Sequence, residues 1–211
     1  MSDAPSTAQA PKPEQDTRTP QEKWEHRWQK GRTAWDRGSI NPALNQWLAA
    51  DAIPGPRVLI PGAGTGYEAV ELARRGYDVT AIDFAPTAVA RLRQQLKTAG
   101  VDAVVVEDDF FRWQPEQPVD AIYEQTSLCA LEPTQWPAYE QRLHQWLRPG
   151  GALLALFMQT EQPGGPPYHC ALEQMHALFP ESRWRWPPVH PEPIPHPSGV
   201  VHELAQILYR L

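Results

Sequence analysis

Short apolar runs alternate with amphipathic segments along most of this chain of 211 residues, and this alternation constrains its fold more than any other feature. The runs with the length and composition of buried strands lie in RVLIP, YDVTAID, VDAVVVEDDFF, VDAIYEQ and ALLALFMQ. Segments with helical spacing separate them, and Gly76 and Gly100 end two of these segments. Because strands that alternate with helices of about 10–15 residues pair in parallel, we predict a Rossmann-like, doubly wound α/β sheet with helices on both faces.

The two ends of the chain are less regular. Residues 1–20 are rich in alanine, proline, serine, threonine and glutamine and have no apolar periodicity, which predicts a disordered leader before a single domain of residues 21–211. Towards the other end, WRWPPVHPEPIPHPSG is typical of a proline-studded loop. The last segment, VVHELAQILYRL, is a strand candidate whose ELAQIL centre also suits a helix.

Tryptophans mark the start of the predicted domain. Trp24, Trp28 and Trp35 are spaced by four and seven residues, which matches one face of a helix. Gly31 and the WDRGS segment are expected to interrupt that helix. A second helix then begins, with Asn41 as its N-cap and Pro42 as its first residue.

Charge and composition exclude several kinds of partner. The net charge is -6 and lysine and arginine form no cluster, which argues against nucleic acid. No apolar stretch approaches the roughly 20 residues that cross a bilayer, and the first residues lack the apolar core of a signal peptide. Cys129 and Cys170 show no metal-ligand spacing. We therefore expect a monomeric cytoplasmic enzyme that acts on a small molecule without a metal, nucleic acid or membrane.

A glycine-rich turn follows the first predicted strand, in the stretch VLIPGAGTGYEAV. Ligands of open α/β sheets bind beyond the carboxyl ends of the strands, so this turn is where a cofactor is expected. Gly62, Gly64 and Gly66 give the pattern GxGxG, whereas the dinucleotide fingerprint is GxGxxG. Tyr67 occupies the position of the third fingerprint glycine, which weakens the interpretation as a pyrophosphate site.

Acidic residues follow the second and third predicted strands. Asp83 lies 21 residues after Gly62, where a carboxylate can accept hydrogen bonds from both ribose hydroxyls or, alternatively, cap a helix. In EDDFF, Asp109 and Phe110 offer a polar contact for the edge of an adenine ring and an apolar contact for its face, although Asp109 also suits a solvated loop. The ordered set of glycine turn, strand-end acid and Asp-Phe pair is typical of an S-adenosylmethionine-dependent methyltransferase.

The motifs that frame this set resemble one family from about Gln21 to the end of the chain. They are WEHRWQKGRTAWD, VLIPGAGTGYEAVELARRGYDVTAID, EDDFF, IYEQTSLCAL, LRPGG and GPPY. Together they resemble the thiopurine S-methyltransferase family, including its plant-type thiol and halide methyltransferase branch. The resemblance implies a seven-stranded methyltransferase sheet and an N-terminal helix that folds over S-adenosylmethionine as a lid.

The same resemblance assigns roles to individual residues. Cofactor binding is implied for Trp24, Trp28, Trp35, Gly62, Gly64, Gly66, Asp83, Asp109, Phe110 and Gln125. The acceptor pocket candidates are Glu124, Leu128 and Tyr168. Gln125 stands where the family usually has tyrosine or arginine beside the cofactor. The indole faces are expected to attract the sulfonium of the methyl donor, a cation–π interaction of roughly 0.5–2 kcal/mol.

One segment departs from the family pattern. IYEQTSLCAL has Gln-Thr-Ser-Leu at residues 125–128 in place of the more usual Tyr-Thr-Phe-Phe, so two aromatic walls of an acceptor pocket are absent. We therefore expect a wider or more polar acceptor pocket, and neither a planar thiopurine nor a halide can be inferred as the acceptor. Cys129 is expected to be packed rather than catalytic. The proline-rich segment 187–197 is expected to border the acceptor entrance.

The predicted reaction is direct displacement, in which the sulfur of a small thiol attacks the methyl group in line. The sequence contains no catalytic triad or metal set, so alignment and desolvation are expected to carry catalysis, and no general base is named. Three alternatives remain open at the level of sequence. They are an oxygen, nitrogen, selenium or halide acceptor, a nicotinamide-dependent dehydrogenase, and a protein that binds the cofactor without turnover.

Overall fold

A computed structural model describes residues 16–188, 191 and 193–211 of the chain. The strands are β1 (Arg57–Pro61), β2 (Asp78–Asp83), β3 (Val104–Glu107), β4 (Val119–Gln125), β5 (Leu147–Gln159), β6 (Trp184–Arg185), β7 (Pro193–Pro195) and β8 (His202–Arg210). The α-helices are α1 (Pro20–Gln29), α2 (Pro42–Ala49), α3 (Tyr67–Arg74), α4 (Pro86–Ala99), α5 (Trp136–Trp146) and α6 (Leu172–Leu178). No helix in these residues is both long enough and apolar enough to cross a membrane.

All strands belong to one sheet with the order β3-β2-β1-β4-β5-β8-β6, and β7 pairs with β8 beside this path. Strands β1 to β5 are parallel, whereas β8 runs antiparallel to β5, β6 and β7. The predicted mostly parallel α/β sheet is confirmed. The predicted number of seven strands is wrong, because the sheet has eight. The difference lies in the proline-rich segment after α6, where two and three residues pair with β8 as β6 and β7 instead of forming only a loop.

Alternation along the central strands divides the core between the two faces of the sheet. Leu59 points to one face and packs in a cluster with residues of α5 such as Leu143. Val58 points to the other face and joins Leu72 of α3 and Leu92 of α4. Each side chain is at most 1% exposed, so both faces are buried, as a parallel sheet with helices on both sides requires.

Local signals in the sequence set several element boundaries. Asn41 caps α2 by accepting a hydrogen bond at Oδ1 from the N–H of Ala43 at 2.9 Å, and Pro42 opens the helix as predicted. Gly100 ends α4 in the left-handed conformation with φ of 65°. The last segment forms the strand β8 rather than a helix, and it pairs with β5 over eight residues.

Helix α1 begins slightly earlier than predicted. Thr19 and Glu22 form a capping box, in which each side chain accepts a hydrogen bond from the other residue's backbone N–H. Thr19 and Pro20 therefore belong to the folded domain and not to the predicted leader of residues 1–20. Residues 16–18 precede the cap and form neither helix nor strand, and residues 1–15 lie outside the described residues.

Candidate functional site

The glycine turn between β1 and α3 has the backbone that its sequence requires. Gly62, Gly64 and Gly66 have φ of 59°, 55° and 85°, which other residues rarely adopt. A Cβ at Gly66 would lie 2.1 Å from Cδ1 of Leu92 in α4. Gly66 therefore permits a close approach between the start of α3 and α4. Gly66 lies one position before Tyr67, and position 67 is where the dinucleotide fingerprint has its third glycine.

A second close approach joins the ends of β1 and β4. A Cβ at Gly62 would lie 2.2 Å from Oγ of Ser127, and that hydroxyl donates a hydrogen bond to the carbonyl of Pro61 at 2.8 Å. Ser127 is 7% exposed. The first glycine of the turn thus makes room for a serine that ties the loop after β4 to the end of β1. Sequence reasoning singled out residue 127 only as a departure from the family.

Asp83, at the end of β2, holds the glycine turn in place. Its Oδ2 accepts a hydrogen bond from the N–H of Gly64 at 3.0 Å, and its Oδ1 accepts one from the N–H of Ala85, the N-cap of α4, at 2.9 Å. Burial raises the pKa of this carboxyl, and the backbone N–H groups oppose the shift. The two predicted roles, ribose acid and helix-capping acid, are compatible, since each carboxylate oxygen can accept about two hydrogen bonds.

The three predicted tryptophans come together over this turn. Trp35 contacts Trp24 and Trp28 edge to face, with ring centroids 5.0 and 5.5 Å apart. Trp28 is 4% exposed, and its ring would lie 3.4 Å from a Cβ at Gly64. The expectation that all three share one helix face was wrong, because α1 ends at Gln29 and Trp35 lies in the segment that follows. That segment, residues 30–41, is called the lid loop below.

Arginine side chains already lie over two of the indole rings. The guanidinium of Arg27 is 4.7 Å from the ring centroid of Trp24, and that of Arg91 is 5.2 Å from the ring of Trp28. Both are cation–π contacts. One face of each ring therefore meets a cation of the protein, so a ligand sulfonium has only the remaining faces and Trp35 to meet.

Polar contacts hold α1 and the lid loop against the sheet edge. Gln21 donates to the carbonyl of Phe84 at 2.7 Å, and Glu25 accepts from the N–H and the hydroxyl of Thr87 at 2.9 and 2.5 Å. In the lid loop, Asp36 accepts a hydrogen bond from the hydroxyl of Thr65 at 3.0 Å. These contacts place the N-terminal segment across the turns that follow β1 and β2.

The end of β3 lies beside Asp83, as the parallel sheet requires. The N–H of Asp108 donates to the carbonyl of Asp83 at 3.2 Å. Asp109 accepts a hydrogen bond at Oδ1 from the N–H of Phe111 at 2.9 Å and so stabilises its own turn. Phe110 is partly buried, with its ring 5.0 Å from those of Phe111 and Tyr139. The adenine contacts of Asp109 and Phe110 stay a prediction.

At the carboxyl end of β4, a buried ionisable side chain supports the loop that follows. Glu124 has no exposed surface and accepts a hydrogen bond from the N–H of Leu128 at 2.6 Å. Burial raises its pKa to about 7. Its Oε2 has no hydrogen-bond partner among the described residues. Leu128 is 2% exposed, so these two acceptor-pocket candidates support the loop after β4 from within the core.

Gln125 lies at the carboxyl end of β4 with its amide fixed by a neighbour. The hydroxyl of Tyr123 donates to its Oε1 at 2.8 Å, which turns the amide nitrogen away from Tyr123. Cys129 is 3% exposed, and burial raises the pKa of its thiol, so the prediction of a packed cysteine is supported.

Tyr168 lies in the loop after β5. Its N–H donates to the carbonyl of Cys129 at 2.7 Å, and a Cβ at Gly165 would lie 2.5 Å from its ring. Together with His169 it lines an open groove between α5 and α6. Nδ1 of His169 accepts a hydrogen bond from the N–H of Thr160 at 3.1 Å, so this nitrogen supports its own loop.

One group of contacts at this edge was missed from the sequence. Arg37 of the lid loop pairs with Glu203 of β8 at 3.3 Å, and Asn41 donates to the same carboxylate at 2.7 Å. The sequence signal was a glutamate in the largely apolar terminal run VVHELAQILYRL. Its partner is 166 residues away, which no local pattern indicates.

The arrangement fits S-adenosylmethionine. The glycine turn, the Asp83 carboxylate and the tryptophan cluster meet at Gly64, where Trp28 and Asp83 approach the same residue. A carboxylate and an indole ring that converge on one glycine of the turn suit a ribose with an adjoining cation. In the described part of the chain, no three His, Cys, Asp or Glu side chains gather as metal ligands.

Comparisons with known proteins agree with this geometry. The model of the thiopurine S-methyltransferase family matches residues 19–197. A probable thiol methyltransferase 2 of Arabidopsis thaliana is 36% identical over 159 residues, which cover 74% of this chain and 70% of that protein. A thiopurine S-methyltransferase of Legionella pneumophila is 30% identical, and the match covers 72% of this chain and 77% of that protein. The crystal structure of the Burkholderia thailandensis 1,6-didemethyltoxoflavin-N1-methyltransferase with bound S-adenosylhomocysteine has a similar fold. Its TM-score is 0.73 at 21% identity, and the match covers 90% of this chain and 86% of that one.

Proposed function

We propose, from the premise that this chain belongs to the thiopurine S-methyltransferase family, that it methylates the sulfur of a small-molecule thiol. The chain is an S-adenosylmethionine-dependent methyltransferase, which sets aside the dehydrogenase and the binding protein without turnover. The proposal depends on one observation. Trp28, one of the three tryptophans to which the family resemblance assigns cofactor binding, packs against Gly64 of the glycine turn. The relatives named for thiol and thiopurine methylation support sulfur as the acceptor atom.

The donor is held by residues of three strand ends. Asp83 accepts hydrogen bonds from the ribose hydroxyls while it keeps the N–H of Gly64. Gly62 and Gly64 let Ser127 and Trp28 approach the backbone of the turn closely, which fixes the shape of the turn that would hold the donor. Asp109 and Phe110 contact the adenine.

When bound, the cofactor would supply an electrophilic methyl group on its sulfonium. The sulfur of an acceptor thiolate would bond to the methyl carbon as the bond to the sulfonium sulfur breaks, and S-adenosylhomocysteine would leave as a neutral thioether. The residues of the chain align the acceptor and exclude water, and such alignment alone supplies several orders of magnitude in rate. Trp28 and Trp35 cover the glycine turn and keep solvent from it. Cys129 does not compete as a nucleophile, because burial keeps its thiol protonated.

The acceptor side supports a polar small molecule rather than a planar aromatic one. The loop of residues 125–128 offers the Gln125 amide at the edge, while Ser127 and Leu128 are buried. No aromatic side chain occupies these four positions. The enzyme therefore accepts flexible thiols better than a thiopurine. It works as a monomer in the cytoplasm, and the two buried, unpaired cysteines support the reducing compartment.

The test is methyl transfer to matched acceptors. Purified enzyme is incubated with methyl-labelled S-adenosylmethionine and 2-mercaptoethanol, 6-mercaptopurine, iodide or a phenol, and labelled product is quantified. We expect turnover with 2-mercaptoethanol to exceed turnover with the other three. Labelling of the phenol or iodide alone would refute sulfur as the acceptor atom. Labelling of 6-mercaptopurine above the flexible thiol would refute the polar pocket but keep the thiol chemistry.

A further inference from the structure

The lid loop is attached to the sheet at two separate places. Near its middle, Trp35 packs on the tryptophans of α1, and Asp36 accepts a hydrogen bond from Thr65 of the glycine turn. Near its end, two residues reach β8, which lies three strands away from β1. The loop therefore crosses the carboxyl edge from the cofactor turn to the strand beside β5.

The attachment to β8 converges on one carboxylate. Arg37 donates from Nη1 to Oε2 of Glu203 at 3.3 Å and from Nη2 to the carbonyl of Pro195 at 3.0 Å. Asn41 donates from Nδ2 to the same Oε2 at 2.7 Å, and its backbone N–H donates to Glu68 at 2.9 Å. Three hydrogen-bond donors of the lid loop are thus oriented by β8 and its short neighbour β7.

The ion pair between Arg37 and Glu203 is buried, unlike most of the other ion pairs among the described residues. The side chain of Glu203 has no exposed surface, and that of Arg37 is 8% exposed. In a buried ion pair the attraction between the charges has to compensate for the large cost of removing both from water. Removal of one partner leaves an uncompensated buried charge. Hydrophobic residues would often stabilise a core as well, so the pair is best explained by the position that it imposes on the loop.

We infer that Glu203 is a positioning residue that holds the lid loop closed over the bound methyl donor. The inference rests on the proposed cofactor site, and it adds a residue that touches neither donor nor acceptor. With Glu203 in place, Arg37 and Asn41 fix the end of the loop. Trp35 and Asp36 are then held between two anchored points, one at Thr65 and one at β8.

The experiment uses trypsin as a reporter, because Lys30 and Arg32 are exposed residues of the lid loop itself. In the wild type, saturating S-adenosylhomocysteine should protect both bonds, since a bound ligand stabilises the closed loop. In Glu203→Ala, cleavage after Arg32 should be faster by at least about tenfold and the Kd for S-adenosylhomocysteine should rise by a similar factor. Glu203→Gln keeps an oxygen for Asn41 and should lie between the two.

The matched control is another ion pair far from the lid. Glu140 of α5 accepts from Trp184 at 2.6 Å and pairs with Arg183 at 3.2 Å, and its side chain is 5% exposed. Glu140→Ala should lower the melting temperature without changing cofactor affinity or cleavage after Arg32. If Glu203→Ala behaves in the same way, the inference is wrong and Glu203 only stabilises the fold.

Two further outcomes keep the test decisive. If Glu203→Ala does not fold, Glu203→Gln and Arg37→Leu are compared instead, and unchanged cleavage and affinity in both would overturn the inference. Neither readout needs an acceptor. A wild type that binds S-adenosylhomocysteine but methylates no thiol would therefore refute the proposed acceptor and leave the role of Glu203 to be judged on protease protection.

Discussion

The donor side and the acceptor side of the sheet edge are built by different means. On the donor side, after β1, β2 and β3, glycines with positive φ and backbone N–H groups shape the site, with Asp83 as the central carboxylate. On the proposed acceptor side, at the end of β4, the buried carboxylate of Glu124 accepts from the N–H of Leu128, and at the start of β8 the buried Glu203 holds the end of the lid loop. The contacts of the donor side therefore join residues close in the chain, as Gly64 and Asp83 are, whereas Glu203 meets residues of the lid loop 162 and 166 positions away.

The largest effect that we expect from a single substitution on the free energy of unfolding comes from Gly62→Ala, at the point where the two sides meet. The alanine would adopt an unfavourable positive φ, at about 1–2 kcal/mol. Its Cβ would also displace Ser127 from Pro61, a hydrogen bond of about 1 kcal/mol. We expect a loss of about 2–3 kcal/mol in the free energy of unfolding, measured by urea denaturation.

The control for that substitution is Gly76→Ala. Gly76 has φ of 86°, and no heavy atom lies within 4 Å of the position that a Cβ would take, so only the backbone cost of about 1–2 kcal/mol should appear. Equal losses for the two variants would show that the contact between Gly62 and Ser127 contributes nothing. In a Ser127→Gly background, which already lacks the hydrogen bond to Pro61, Gly62→Ala should cost only the backbone part, as Gly76→Ala does.

A pH series sharpens the contrast from the acceptor side. Burial raises the pKa of Glu124 to about 7, so the folded state binds this proton more tightly than the unfolded state. The resulting stability is fully present below the unfolded pKa of about 4.3 and is lost as the pH rises through about 7. Over this range the wild type should lose up to about 3 kcal/mol from this group.

Glu124→Gln removes the titration and keeps an oxygen for the N–H of Leu128. The free energy of unfolding of this variant should therefore fall less steeply than that of the wild type between about pH 5 and about pH 8, the range in which the folded wild type loses the proton of Glu124. Parallel curves for the two proteins would contradict the assignment. Asp83→Asn is a poor substitute for this control, because it also disturbs the donor side.

On the donor side, Asp83→Ala tests whether the carboxylate binds ligand as well as backbone. The affinity for S-adenosylhomocysteine, measured by calorimetry, should fall by about 1.5–3 kcal/mol, the scale of hydrogen bonds to a charged group. Asp78→Ala, at the exposed start of β2, should leave the affinity unchanged. A drop in melting temperature without any loss of affinity would show that Asp83 stabilises the fold and does not bind the ligand.

The smallest effect separates two truncations of the N-terminus. Removal of residues 1–20 also removes the Thr19 cap of α1, and loss of such a cap costs about 0.5–2 kcal/mol. Removal of residues 1–15 keeps the cap and should leave melting temperature and cofactor affinity as in the full chain. If the shorter deletion weakens binding as much as the longer one, the donor side extends into the removed residues.

The same contrast explains what the sequence could predict. The glycine turn, Asp83 and the cap of α2 follow from residues close together in the chain, and short-range rules place them correctly. The family resemblance then brought in Trp24, Trp28 and Trp35, whose meeting over the glycine turn the structure supports.

The features that escaped prediction depend on contacts between distant residues. The short strands β6 and β7 exist because β8 offers them a partner, although their own sequence is rich in proline. The placement of Trp35 off the helix and the approach of Ser127 to Gly62 depend on tertiary packing. Propensity and periodicity contain no information about such pairs.

The position of β8 in the chain has a consequence for biosynthesis. A ribosome releases this strand after every other strand of the sheet, so Glu203 emerges when α1 and the lid loop have long been outside the exit tunnel. Until then Arg37 has no carboxylate to meet in β8. A nascent chain can thus complete its glycine turn early, but it gains a fastened lid only once translation has passed residue 203.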